Sequence, residues 1–237
     1  MNPNVTAIFE TVFNVVYLLT VWYLVILMAV KLPKVQAKNK TVAGLVLLAF
    51  VLLAAGDTGH VGFRVAAHLL GDLNKTVSVF GSPMSLLGIG MLTTAYTVTL
   101  FYMVFVYVWQ ERFNQKATWF TWLLLAAGVA RLIFMALPAN DWGNTVPPQP
   151  VSLYRNIFLM VQGVGLIWLI FTSAYKANDN TFKWIGWMVV VSYAFYTPVI
   201  LFAQQIPVIG MLMIPKTIAY VAIAIFAYFG LWKSKKA

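Results

Sequence analysis

Seven ionisable side chains sit in stretches otherwise too apolar to carry a bare charge: Glu10, Asp57, His60, Arg64, Arg131, Arg155 and Lys216. Their types divide into two chemical sets. Asp57, His60 and Glu10 are the acid–base set, in which a carboxylate could orient His60 as a general base. Arg64, Arg131, Arg155 and Lys216 are the cationic set, suited to holding an anion or stabilising one that develops. In GDTGHVGFRVAAHLL, Asp57, His60, Arg64 and His68 fall on one helical face, since their spacings approximate whole turns. Gly56, Gly59 and Gly62 interleave with them and allow close approach by a ligand or a neighbouring helix.

The elements that must position these groups follow from composition. Of 237 residues, 62% are hydrophobic and 9% charged, against about 25% charged in an ordinary soluble domain. That excludes a soluble enzyme, a nucleic-acid-binding domain and a disordered chain. The absence of cysteine removes disulfides, thiolate metal sites and cysteine nucleophiles. The N-terminus has no basic region ahead of its apolar stretch, which argues against a cleaved signal peptide. Apolar runs bounded by polar or Pro/Gly punctuation predict an all-α, integral membrane seven-helix bundle in a single domain. The expected helices cover roughly 7–30, 41–70, 84–109, 118–137, 153–175, 183–204 and 209–232. The segment PANDWGNTVPPQP between the fourth and fifth reads as an ordered loop outside the membrane.

Basic residues collect in cytoplasmic loops. Eleven of the sixteen Lys and Arg fall in one alternating set of loops and the C-terminal tail, and the other set holds only Lys75. The expectation is therefore an N-terminus outside and a C-terminus in the cytoplasm, in the cytoplasmic membrane. Trp22, Trp109, Trp119, Trp122, Trp184, Trp187 and Trp232 lie toward the cytoplasmic helix ends, as an interfacial belt would. On the same depth scale, all seven helix-borne charges belong to the outer half, above uncharged inner segments such as AGLVLLAFVLL and LFYMVFVYVW. The pattern is a polar vestibule above an apolar plug. An alternative is a set of ion-pair ladders, Asp57 with Arg64 and Glu10 with Arg131 or Lys216, serving packing alone. Four permanent cations against two acids weigh against it, because an unpaired buried cation is costly.

Several chemistries can be tested on these residues. The membrane alkaline ceramidases use a three-histidine zinc site on a seven-helix scaffold; two histidines in the whole chain cannot supply it, and no metal or other cofactor is expected. Ala95-Tyr96 with Trp109, and Ala219-Tyr220 with Trp232, hint at a 3+1+3 duplication that resembles the opsins and the PQ-loop sugar transporters. VSYAFYTPVILFAQQ resembles the aromatic–proline helix of microbial rhodopsins. Lys216, however, lies about two turns too far outward for their lysine, and GIGMLTTAYTVTLFY has no acid. Transport has the architecture in its favour, although Pro148-Gln149 lies in a loop and the inner halves offer a charged solute no partner. GDTGHVGFR, SLYRN and IGMLMIPKTIAYV together resemble an uncharacterised family of small bacterial seven-helix membrane proteins, which implies the topology and leaves the activity open.

The functional expectation is an outward-facing, net-cationic pocket for an anionic or amphipathic small molecule or a lipid headgroup. The mixed acid, base and cation set leans towards a metal-free intramembrane enzyme. A small-solute transporter and a ligand-binding sensor are the alternatives, the sensor needing a cytoplasmic partner. The bilayer and the small ligand are the expected partners; nucleic acid is not.

Overall fold

The computed structural model describes the backbone of residues 3–72, 74–79 and 81–233, with side chains from residue 12 onward. Seven α-helices follow one another: α1 (Pro3–Lys31), α2 (Ala37–Leu69), α3 (Leu86–Phe113), α4 (Trp119–Met135), α5 (Val151–Lys176), α6 (Asn180–Phe202) and α7 (Met213–Ala227). Six segments are long and apolar enough to cross a membrane. The exception is α4, which is apolar but only 17 residues long. Consecutive helices pack side by side and α7 returns to α1, closing a ring in which α3 also touches α5.

Local chemistry sets the ends. The Ser85 hydroxyl caps α3 by accepting from the Gly88 N–H at 2.9 Å. Thr118 and Thr121 form a reciprocal capping box at the start of α4. Asn114 ends α3 in the left-handed conformation at φ 48°, which Asn tolerates better than most residues. The expected helix ends agree with these to a few residues. Two features depart from expectation. A short hairpin of β1 (Thr76–Val79) and β2 (Ser82–Ser85), turning at Gly81 with φ +82°, fills the α2–α3 connection. The seventh segment is composite: a 3-10 stretch (Pro207–Leu212) precedes α7, and a π turn (Tyr228–Trp232) follows it.

The closest helix pair is α2–α3, made so by glycine. A Cβ on Gly56 would lie 1.7 Å from Thr97 Oγ1, and one on Gly90 would lie 3.1 Å from the His60 backbone. Gly62 meets nothing within 4 Å, so of the three glycines around the charged face, Gly56 and Gly59 face α3 and Gly62 faces open space. Below this seam Phe50, Phe101 and Phe105 form a buried aromatic cluster with centroids 4.6–6.4 Å apart.

At the cation-rich end of the bundle the helix termini are stitched together. Arg112 pairs with Asp179 at 2.7 Å and donates to Asn39 Oδ1 at 2.9 Å, joining α3 to the starts of α6 and α2. Lys31 Nζ donates to the Tyr228 hydroxyl at 2.6 Å, and Trp232 Nε1 to the Met28 carbonyl at 2.9 Å. Trp119, Trp122, Trp184 and Trp187 face outward as a belt should. Two others depart from that expectation. Trp109 is buried against Ser173, and Trp22 lies farther into the bundle, donating to Thr58.

Candidate functional site

At the opposite end a cavity of about 490 Å3 is enclosed by all seven helical segments and the 3-10 stretch. Asp57, His60, Arg64, Arg131, Arg155 and Lys216 all line it. The Glu10 side chain lies outside the described residues. His68, on the same face of α2 by spacing, is exposed and does not line the cavity, because α2 runs on past it. Asp141 is likewise exposed in its loop and is not a lining residue.

Asp57 is the anchor of one wall. Its Oδ2 accepts from the Tyr17 hydroxyl at 2.6 Å and its Oδ1 from the Thr94 hydroxyl at 2.8 Å, tying α1, α2 and α3 together. Charge-assisted bonds of this kind are stronger than neutral ones. They satisfy the carboxylate without a cation. His60 follows one turn later, and its buried Nδ1 has no hydrogen-bond partner among the described residues. No hydrogen bond joins it to Asp57 there, so the Asp57–His60 form of the expected acid–base pair is not assembled in this geometry, and the Glu10 form lies outside the described residues.

Arg131 serves differently. It is 2% exposed and four of its five N–H donors reach neutral acceptors. Nε donates to the Arg155 carbonyl at 3.0 Å, Nη1 to Thr99 Oγ1 at 2.6 Å and the Ala95 carbonyl at 3.3 Å, and Nη2 reaches Asn156 Oδ1 at 3.5 Å. It is a bolt between α3, α4 and α5 whose edge shows in the cavity. Arg155 is 7% exposed rather than snorkelling to the surface. Its guanidinium lies 4.5 Å from the Trp142 ring centroid and donates to Asn140 Oδ1 at 3.4 Å. The loop between α4 and α5 thus tucks inward as an ordered wall. It is pinned by Trp142 Nε1 on the Met135 carbonyl and by the Ser85 N–H on the Trp142 carbonyl, both at 3.0 Å.

Lys216 is coordinated less fully than Arg131 or Arg155. Its ammonium lies 4.0 Å from the Tyr196 centroid and 5.7 Å from that of Tyr220. Among the described residues no side-chain or carbonyl oxygen accepts from it. The two tyrosines are themselves engaged, Tyr196 donating to Asn156 Oδ1 at 3.1 Å and Tyr220 sharing a hydrogen bond with Tyr102 at 2.8 Å. Ring faces attract a cation but leave its three N–H donors without an oxygen.

Tyr17, Asn156 and Trp142 are the functional neighbours that sequence reasoning overlooked. The signal for the first was a polar group one turn after Asn14 on the same helical face within an apolar run. Of the α6 tyrosines Tyr193 and Tyr196, Tyr196 lines the cavity. Tyr193 instead packs deeper and donates to the Leu159 carbonyl at 2.8 Å. Gln162 is 2% exposed with neither amide atom partnered among the described residues. Outside the bundle, Phe120, Leu124, Val161 and Trp168 line an open groove between α4 and α5, with almost no polar surface to perform chemistry. No family model matches the chain, and neither a curated protein nor a solved structure matches it significantly.

Proposed function

We propose that this is a multi-pass protein of the cytoplasmic membrane, N-terminus outside, whose outward-facing cavity binds a small anionic or amphipathic molecule, lipid headgroups included. The observation that carries the reading is Lys216: a cation aimed into a cavity, cushioned by two ring faces and lacking an oxygen acceptor among the described residues. A ligand oxyanion supplies what those N–H groups lack. The balance of the described lining supports it, with Arg131, Arg155 and Lys216 against Asp57. The orientation rests on the loop cations, and the cation-rich end lies opposite the cavity.

Binding fits this arrangement better than turnover, because Asp57 uses its oxygens on Tyr17 and Thr94 instead of orienting His60. It also fits better than ion transport. Beneath the floor at Leu53, Val98 and Tyr220 lies the Phe50–Phe101–Phe105 cluster, which offers a charge no partner. Native mass spectrometry of protein extracted in mild detergent tests the reading. The wild type and Lys216→Arg should carry a discrete bound anion that Lys216→Met lacks. A bare wild type, or equal retention by a folded Lys216→Met, overturns it.

A further inference from the structure

The cavity lining contains two unlike sets of residues. Arg64 of α2 and Arg155 of α5 bring cations to it. The 3-10 stretch and the start of α7 bring Pro207, Met211, Met213 and Ile214, and α1 adds Phe13. No charged or hydrogen-bonding side chain interrupts the seventh segment between Pro207 and Lys216. Lys216 ends that apolar run, its ammonium 4.0 Å from the Tyr196 ring centroid.

A hydrophilic anion such as free phosphate has oxygens over its whole surface, and the run from Pro207 to Ile214 offers them no side-chain donor. Methionine-rich surfaces, by contrast, adapt to flexible apolar chains. The cavity volume falls in the lower half of the range for small-molecule sites, roughly 300–1,000 Å3. It suits one acyl chain and is too small for a whole diacyl lipid.

Building on the anion-binding reading above, we infer that the ligand is a single-chain amphipathic anion. Its carboxylate or phosphate head sits at Lys216 and Arg155, and its tail lies along Phe13, Met211 and Ile214.

The test is calorimetric titration of the full chain in a neutral maltoside detergent. Decanoate and decyl phosphate supply head and tail, acetate and inorganic phosphate the head alone, and decanol the tail alone. The chain-bearing anions should bind at least about tenfold more tightly than their bare heads, and Ile214→Asn or Met211→Ser should remove about that factor, the contribution of one buried apolar side chain. Lys216→Met should abolish binding while Lys216→Arg restores it. If acetate or inorganic phosphate binds as tightly as the chain-bearing anions, the anion pocket stands and the amphiphile inference falls. If decanol matches decanoate, or no anion binds, the anion pocket itself falls.

Discussion

The two ends of the bundle handle their helix-borne cations in opposite ways. At one end Arg112 receives a full set of partners: a carboxylate from Asp179, an amide oxygen from Asn39 and the face of Phe182. At the other, Arg131 is satisfied by carbonyls and a hydroxyl, Arg155 by a ring and an amide, and Lys216 by rings alone. A pair such as Arg112–Asp179 is complete and has no use for a ligand. Cations whose charge is left uncompensated keep a field directed into the cavity, and in a site of low dielectric that field is strong. The lesson is that a charge inside a span marks function through what fails to neutralise it, more than through its presence.

Four substitutions, two of them paired with a control, would break or sharpen that contrast. The largest effect is expected for Arg131→Met, which strips partners from buried acceptors on α3 and α5. It should cost about 3 kcal/mol or more, measured as a loss of unfolding free energy in detergent. A stability near wild type would mean that Arg131 is held for its charge and not as a bolt. Gly56→Ala comes next, because its Cβ would collide with Thr97 and reach the Thr94 backbone at 3.2 Å. Overpacking of this kind costs about 1–3 kcal/mol, and spreading α2 from α3 should also weaken the Thr94–Asp57 bond. Gly62→Ala, with open space around it, is the control and should unfold at or slightly above the wild-type temperature.

Asp179→Ala should cost about 2 kcal/mol, since Asp179 both pairs with Arg112 and caps α6 by accepting from the Phe182 N–H. Asp179→Asn keeps the cap and should lose less than half of that; equal losses would show that the ion pair dominates. Apart from the Gly62→Ala control, the smallest stability change belongs to Lys216→Met, within about 1 kcal/mol of wild type, because no hydrogen bond of the described structure is given up. A thermal unfolding series would expose the error if Lys216→Met proved as damaging as Arg131→Met. Lys216 would then be part of the packing.

Much of this was legible in the chain. An apolar run long enough to span fixes the helices, and a charge within it must turn inward, so depth alone placed Asp57, His60, Arg64, Arg131, Arg155 and Lys216 around one space. Helical periodicity told which residues of α2 share a face but not where the cavity stops, so it carried His68 too far. Periodicity also cannot tell a bolt from a ligand-binding group. Arg131 and Lys216 look alike in sequence, and only the carbonyls that α3 and α5 bring to Arg131 separate them. Tyr17 was passed over because a tyrosine in an apolar helix is an ordinary core residue until a carboxylate is found opposite it. The hairpin after α2 escaped notice because its strands are four residues each, too short for alternation to stand out.

The 3-10 stretch has a consequence for spacing along the seventh segment. With three residues per turn, Pro207, Gly210 and Met213 fall in line, and the α-helical steps to Lys216, Thr217 and Tyr220 carry that line from mouth to floor. Each residue of the stretch advances about 2.0 Å and turns about a third of a circle, against about 1.5 Å in an α-helix. Deleting one residue between 207 and 212 would swing every group before it to a different side of the segment. This region should therefore accept changes of side chain far more readily than changes of length, and related chains that keep the pocket should keep the interval from Pro207 to Lys216.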